Sequence, residues 1–473
     1  LSWVIGLDLG TTHVKAMAMD EGGAARAAAQ APLQLDSPHP GWAQQDAAAV
    51  AAAAVQVLRQ VARQTDGSRV EAVAISGAMH SLAAVDEHDR VLAAAMTWAD
   101  ARASGHVRPE FDGNCYAHTG CPAHASYHPA RLRWWQEQPQ RPRVRRFVAI
   151  KDVVAFALCG RWATDRCLAS STGLLNLRGQ WHEPALQAGH VSADELPPLV
   201  EPCDVLGTFT ASAARDTGLA PGTRLIAGGS DGTLANLGAV GQTSGRVVIT
   251  VGTSGAVRWN VDQPQLDARQ RTWCYRGPLA GWVAGGAINS AGLAVQWIAQ
   301  RFYGEEADPL KALMQDAAAI EPGAAGVILL PYFSGERAPH YRGDLTASLR
   351  GLTLQHQRAH IARAAVESTA LCLAQLWQAL APTTSEAWLT GGITRQPMWT
   401  HLLADVLGVA LRPMTEMDAS TRGAAVLGHA ALGRALPAPA APPAVEPDAK
   451  KHARYREILA AFIAAQADTV SRR

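Results

Sequence analysis

Two short segments carry the same residue types in the same order, about half a chain apart. Val4-Ile-Gly-Leu-Asp-Leu-Gly-Thr-Thr-His-Val14 and Val247-Val-Ile-Thr-Val-Gly-Thr-Ser-Gly-Ala-Val257 each read as an apolar β run, a Gly-Thr-hydroxyl turn and a second β run. Such a hairpin offers backbone N–H groups and hydroxyls to a chain of phosphates. One alone is an ordinary turn. Two, with Gly10, Thr11 and Thr12 answering Gly252, Thr253 and Ser254, predict a duplicated scaffold that grips one polyphosphate from both sides. Asp8, just ahead of the first turn, is placed to hold a hydrated Mg²⁺ against those phosphates, although an Asp at a strand end also serves as a plain turn acceptor. Gly228-Gly-Ser-Asp-Gly232 sets one carboxylate, Asp231, among glycines that leave room for a substrate. An alcohol attacking a γ-phosphate must give up its proton as the O–P bond forms, and Asp231 suits that task. A Gly-rich Ser-Asp turn without a catalytic role reads equally well.

Two further segments have the composition of a polyol site. Met79-His80 follows an apolar run, and Trp98, Asp100 and Arg102 offer an aromatic face, a carboxylate and a guanidinium within a few residues. A polyol needs a flat wall for its C–H face and paired donors and acceptors for its hydroxyls. His80 and Trp98 are each also ordinary core residues when considered alone. Gly391-Gly392, at a strand end before a helix, permits close backbone approach to a planar or phosphorylated ligand; a cap or turn explains that pair as well. The chemistry these residues have in common is ATP-dependent phosphoryl transfer to a hydroxyl, in a cleft between two lobes.

The elements that must position them follow from pattern. At 473 residues, 48% apolar and 18% charged, the chain suits two domains with sizeable cores. Apolar runs at Trp3–Asp20, Val70–Ser76 and Leu82–Val85 surround an Ala-rich amphipathic helix over Asp46–Gln64, with Asp46 as its N-cap. Residues 101–145 read as loops and short helices over a binding face. A second block opens near Gly245: the second hairpin, a helix over Ser290–Phe302, a strand over Val327–Tyr332, a helix over His360–Leu380, a strand over Ala387–Thr390 and a helix over Pro397–Leu407 closed by Gly408. The boundary falls around Ala239–Ser244. A Pro/Ala connector over Leu436–Val445 leads to a terminal helix, Lys450–Val470, that either packs back or stays loose.

Lys plus Arg number 42 against 41 Asp plus Glu, so nothing in the charge calls for nucleic acid or an anionic membrane. No basic segment with an apolar stretch precedes the first strand, which makes the cytoplasm the expected location and a membrane span unexpected. The seven cysteines lack C-x-x-C spacing and read as reduced thiols. No histidine pair has ligand spacing with a carboxylate nearby.

Together these residues resemble the FGGY family of carbohydrate kinases, within the actin-like ATPase superfamily, from Trp3 to about Gly433. The most specific piece is Ala347-Ser-Leu-Arg-Gly-Leu352, then seven residues, then His360-Ile-Ala-Arg-Ala-Ala-Val-Glu367. The N-terminal signature, Ser126–Trp135, departs from the family pattern at His128 and Arg131. The resemblance implies an α/β fold of two ribonuclease-H-like domains, 1–240 and 241–434, with 435–473 as connector and terminal helix. It implies ATP and Mg²⁺, with Asp8 assisting the metal, Thr11, Thr12 and Thr253 lining the phosphates and Asp231 as general base. Gly391 and Gly392 would flank the adenosine, with Met398 near its base. Sugar contacts would fall on Met79, His80, Trp98, Asp100 and Arg102. The strings Ala78–Ser81, Thr97–Asp100, Gly120–Pro122 and Gly335–Pro339 are most similar to the gluconate-kinase branch, with xylulose kinases next. A gluconate carboxylate would need a cation, Arg102 or Arg337. The expected partner is thus a small sugar acid or sugar, and a homodimer is compatible with the chain. The rivals are an actin-like filament former or nucleotide-gated chaperone that hydrolyses ATP without a sugar, and a sugar-binding regulator that has lost turnover.

Overall fold

The computed structural model describes residues 2–241, 243–414 and 418–470. In the first lobe, β1 (Trp3–Leu9), β2 (His13–Met19) and β3 (Ala25–Pro32) form an antiparallel meander, with Leu9 opposite Val14 across the Gly10 turn. Helix α1 (Ala47–Thr65) begins where the Asp46 carboxylate accepts from the Ala48 N–H at 2.9 Å, and buries Val50, Val57, Leu58 and Val61 against the sheet. The strand β4 (Val70–Gly77) then runs parallel to β1. β5 (Val205–Thr208) and β6 (Arg224–Ser230) complete the sheet in the order β5-β6-β4-β1-β2-β3, with β6 parallel to β4.

The second lobe repeats the plan. β7 (Val247–Val251), β8 (Gly255–Val261), β9 (Trp273–Arg276), β10 (Trp282–Ile288), β11 (Glu386–Thr390) and β12 (Ala410–Pro413) lie in the order β9-β10-β8-β7-β11-β12. Five strands of each sheet match in order and sense: three antiparallel, then two parallel to the first, which is the ribonuclease-H-like arrangement. The duplication read from the two hairpins therefore extends to whole sheets.

Helices from each lobe cross at the junction. α2 (Asp231–Val240) leaves the end of β6 and brings Ala239 and Val240 against Val248 and Trp388 of the second sheet. Further along, α3 (Gly292–Phe302), α4 (Arg358–Leu380) and α5 (Pro397–Leu407) cover the second sheet. α6 (Ala419–Ala431), although late in the chain, returns to pack on β1 and β4 of the first lobe. It crosses α2 backbone on backbone. A Cβ at Gly423 would lie 1.8 Å from the Leu234 carbonyl oxygen, one at Gly238 1.9 Å from that of Ala419, and one at Gly6 2.0 Å from that of Thr421. Glycine is the side chain these three contacts permit.

The terminal helix α7 (Ala449–Val470) packs back on the second lobe. Its Tyr455 hydroxyl donates to Glu367 at 2.9 Å and accepts from Arg363 at 2.6 Å, while Val445 of the connector bridges to Leu411. A buried Arg363–Glu367 pair that needs a third polar partner decides what the composition left open.

Three elements differ from the sequence expectation. β3 has alanine at five of its eight positions, lacks the β-branched residues that mark strands, and is held by β2 and α1 rather than by propensity. The β9–β10 hairpin, turned by Gly277-Pro-Leu-Ala-Gly281, adds two strands to the second block beyond those expected. The strand expected over Val327–Tyr332 spans only Ile328–Leu330, paired with Ser348–Arg350 outside both main sheets. The seven cysteines are unpaired, and no described helix is long and apolar enough to cross a membrane.

Gly423→Ala is expected to lower the free energy of unfolding by roughly 1–3 kcal/mol in urea titration, the usual cost of overpacking. Gly222→Ala, where nothing lies within 4 Å of the added carbon, should change it by less than about 0.5 kcal/mol.

Candidate active site

The crossing brings the ends of β1 and β6 to one cleft. Asp8, near the end of β1, stands opposite Ser76 of β4 and beneath the first turn of α6. Its two oxygens accept from Ser76 Oγ at 2.5 Å and Ser420 Oγ at 2.9 Å. Burial pushes its carboxyl up to about 7; the serine hydrogen bonds oppose that rise, and the nearby charges of Asp231 and Asp418 add to it. Asp418 caps α6 and pairs with Lys15 at 2.6 Å; against the effect of burial, that lysine holds it below its ordinary value.

Asp231 is the first residue of α2. Its Oδ1 accepts from Gly232 N at 2.8 Å and Met79 N at 3.3 Å. Burial raises its pKa, while the guanidinium of Arg258, these backbone bonds and Arg337 pull it down. A Cβ at Gly232 would meet Met79 Cε at 2.7 Å and Arg258 Nε at 3.0 Å, so glycine makes space where three functional side chains converge. Arg258 comes from β8 of the second lobe, where its Nη1 donates to Thr250 Oγ1 at 3.0 Å.

The cleft is open to solvent, and the space within it, mouth included, is about 1080 Å³. Asp8, Lys15, Asp231, Gly232 and Ser420 line one wall; Thr250, Arg258, Thr390, Gly391 and Gly392 line the other. Gly391 has φ 92°, and a Cβ there would lie 2.4 Å from the Val251 carbonyl. The two Gly-Thr turns directly follow cleft residues on β1 and β7. Gly10 N donates to His13 O at 3.1 Å and Gly252 N to Ser254 O at 2.9 Å; Thr11 and Ser254 are half-buried, Thr12 and Thr253 exposed. The second turn is further held by α3, whose Gly292 N–H donates to the Gly252 carbonyl at 2.8 Å. Met398 does not line the cleft: it is half-buried against the core of the second lobe.

Beyond Asp231 the walls turn aromatic. His80 is buried at φ 64°, its ring edge-on to Tyr127 at 5.1 Å and to Tyr275 of β9 at 6.4 Å. Burial and the charges of Arg131 and Arg337 hold its pKa well below the usual value, so the imidazole is neutral. Tyr127 and Tyr275 share a hydroxyl–hydroxyl bond of 2.8 Å across the lobes, and Cys274 N and Arg276 N donate to Gly120 O and Ser170 Oγ of the first lobe. Trp98 lies beneath Arg337, whose guanidinium carbon stands 4.7 Å from the ring centre. Arg337 donates through Nε to Asn289 Oδ1 at 2.7 Å and through Nη2 to Ile288 O at 3.3 Å, and among the described residues Nη1 has no protein acceptor. Glu336 accepts from Asn289 N at 2.7 Å and Arg337 N at 2.9 Å; burial pushes its carboxyl up to about 8. Around Arg337 four buried polar atoms lack a protein partner: His80 Nδ1, Arg258 Nε, Glu336 Oε2 and Tyr341 Oη. Buried polar groups are rarely left so, and their gathering at one place is what a hydroxyl-rich ligand would satisfy.

Asp100 and Arg102 are committed to each other. Arg102 chelates both Asp100 oxygens at 2.6–3.0 Å, donates to Gln44 and stacks on Trp42 at 3.5 Å, with both side chains almost wholly buried. Arg131, also buried, spends its guanidinium on the carbonyls of His80, Thr97, Asp100 and Ala125 and so pins the loops that carry Met79, His80 and Trp98. Arg258, Asn289, Glu336, Tyr127, Tyr275, Lys15 and Ser420 belong to the site but were not singled out as candidates. The signal for Arg258 was present, as a lone charge inside the apolar run of β8.

Comparison with known proteins accords with this geometry. Residues 3–238 match the N-terminal domain of the FGGY family of carbohydrate kinases, and residues 247–432 match its C-terminal domain. The chain belongs to this family. The FGGY kinase described here is 31% identical to a gluconokinase of Bacillus subtilis (strain 168) over 447 residues, 90% of this chain and 87% of that protein. A crystal structure of gluconate kinase from Lactobacillus acidophilus superposes with a TM-score of 0.93 at 27% identity, covering 100% of this chain and 99% of the other. A ligand-bound xylulose kinase from the same organism gives 0.93 at 28% identity with the same coverage. Two-lobed architecture is therefore shared across acceptors, and the choice of sugar in this kinase rests with side chains.

Glu336 supplies a pH test. Its folded pKa lies above that of an unfolded glutamate, so the folded chain holds the extra proton and loses stability as pH rises from about 4.5 to about 8. Glu336→Gln should therefore melt above the wild type at pH 8–9, by an amount that shrinks toward pH 5, in thermal unfolding followed across that range.

Proposed function

We propose that this carbohydrate kinase transfers the γ-phosphoryl of ATP to the terminal O6 hydroxyl of D-gluconate, giving 6-phosphogluconate. The observation that carries the choice of acceptor is Arg337. It is a guanidinium in the aromatic pocket beyond Asp231, fixed by Asn289 and Ile288 with one amino group left unpartnered, where a carboxylate can pair with it. Arg102, the other cation considered, has no such freedom. The gluconokinase and gluconate kinase relatives point the same way, and xylulose, which has no carboxylate, would leave Arg337 unanswered.

Gluconate would lie with its C–H face on Trp98 and its hydroxyls toward His80 Nδ1, Glu336 and Tyr341. In that pose O6 meets Asp231. As the O6–phosphorus bond forms and the bond to the β-phosphate oxygen breaks, the hydroxyl proton passes to an Asp231 oxygen. The base is held on a helix start by two backbone N–H bonds, with a pKa that burial raises above the usual carboxylate value. Gly391 and Gly392 would take the adenosine, and Gly10–Thr12 with Gly252–Ser254 the phosphates, by the backbone and hydroxyl donors that such turns present.

Mg²⁺ fits Asp8. Its carboxylate is buried, raised to about 7 and close to the charges of Asp231 and Asp418, of which Lys15 pairs with Asp418, a donor set that favours a hard cation. Among the described residues no cluster of three or more His, Cys, Asp or Glu is arranged to hold a metal, so the ion would share Asp8 with the substrate phosphates. When bound, it supplies charge neutralisation on the phosphate oxygens. Closure of the lobes excludes water, the competing acceptor. A filament former or chaperone has no use for the aromatic pocket or for Asp231, and a binding protein without turnover has no use for an intact base and phosphate turns.

ADP release measured with gluconate, D-xylulose, glycerol, L-ribulose or no acceptor should show stimulation by gluconate alone; turnover with xylulose at an equal rate would reject the acceptor assignment. Asp231→Asn should keep ATP binding and lose about 10²–10⁴-fold in kcat. Arg337→Met should lower kcat/KM for gluconate by roughly 10²-fold, the scale of one charged hydrogen-bonded contact of about 1.5–3 kcal/mol, measured by initial rates.

A further inference from the structure

Arg258 stands in the cleft without an ion-pair partner among the described residues. Several other cations with little exposed surface are answered by partners: Arg131 by four carbonyls, Lys151 by Asp165 at 2.8 Å, Arg363 by Glu367 at 2.7 Å and Arg102 by Asp100. Lys15, the other cation deep in the cleft wall, is bonded to Asp418. Arg258 has no carboxylate within ion-pair distance among the described residues; its single hydrogen bond runs from Nη1 to the Thr250 hydroxyl, and its buried Nε has no partner. A guanidinium left in that state is costly unless an anion comes to it.

Its position says which anion. Arg258 stands on the wall of the second lobe with Thr250, Thr390, Gly391 and Gly392, and across from it are Asp231 and Gly232. The one atom's worth of space between Arg258 Nε and the start of α2 exists because residue 232 has no side chain. Arg258 thus shares the cleft with Gly391 and Gly392, where a nucleotide would sit, and with Asp231, where the acceptor hydroxyl would be held. We propose that Arg258 is a catalytic residue that hydrogen-bonds the γ-phosphoryl group of ATP during transfer, supplied by the lobe opposite to the one that carries the base. The step balances as written above: the guanidinium keeps its protons and neutralises charge on the equatorial oxygens, while bond formation, bond breaking and the proton are unchanged. Because β8 and α2 belong to different lobes, the donor and the base reach the transferring group from opposite sides of the cleft. The proposal rests on the phosphoryl-transfer reading of the cleft and is independent of which sugar is the acceptor.

The test compares Arg258→Ala, Arg258→Gln and Arg258→Lys with the wild type, using whichever acceptor the substrate panel identifies; a wrong acceptor assignment would show in the wild type alone. The expected result for Ala and Gln is a fall in kcat of about 10²–10³-fold, the usual effect of removing one donor to developing charge. KM for the acceptor and the Kd for ADP, which has no γ-phosphoryl, should stay within about threefold. Added guanidinium ion should restore Arg258→Ala by at least about tenfold, and Lys should retain more activity than Gln. An increase in acceptor KM with kcat preserved would overturn the proposal in favour of a sugar contact. Equal losses of ADP affinity and melting temperature, without guanidinium rescue, would overturn it in favour of a structural role.

Discussion

The contact on which the rest depends is the crossing of Asp231–Val240 over Ala419–Ala431. There Gly238 and Gly423 let two helix backbones touch, and Gly6 lets the second helix press on the first strand. Each helix begins at one sheet and packs on the other, so two lobes that could each bury a core alone are tied at one seam. The start of each helix carries a functional group: Asp231 opens one, and Asp418 and Ser420 open the other. Asp8 lies between them. A side chain at the seam would force the helices apart and separate carboxylates that now share one cleft wall.

Charge in this protein is sorted by whether it is answered internally. Arg102, Arg131, Lys151 and Arg363 sit in places where burial would be costly, and each is matched by carboxylates or carbonyls that also hold loops in place. Arg258 Nε, His80 Nδ1 and Glu336 Oε2 are not matched, and among the described residues Arg337 keeps Nη1 without a protein acceptor. These groups gather around Asp231 from both lobes. Their unmet hydrogen-bonding capacity is the physical mark of a pocket built for a polar, anionic substrate.

Much of this was legible in the chain because the relevant residues act locally. A Gly-Thr turn between apolar runs, an Asp beside it, a carboxylate among glycines and a Gly-Gly at a strand end keep their meaning in a short window, and Asp8, Asp231, Gly391 and Gly392 do line one cleft. Asp46 and Gly408 likewise mark helix ends by local chemistry. What could not be read depends on distant partners. Arg102 and Arg337 are alike as letters, and only tertiary contacts show that Asp100, Gln44 and Trp42 occupy the first while the second keeps an amino group unspent. Tyr275 lies before a legible Gly-Pro turn, yet only the folded chain brings it to Tyr127 of the other lobe. The alanine strand Ala25–Pro32 owes its conformation to its neighbours.

The strand Trp273–Arg276 deserves a last consequence. Its backbone amides at Cys274 and Arg276 and its Tyr275 hydroxyl are all bonded to the first lobe, at Gly120, Ser170 and Tyr127. That makes it a clasp on the far side of the pocket from the glycine seam. For the lobes to part at this edge these three bonds must break together, a step that opening to release a product would share with every turnover.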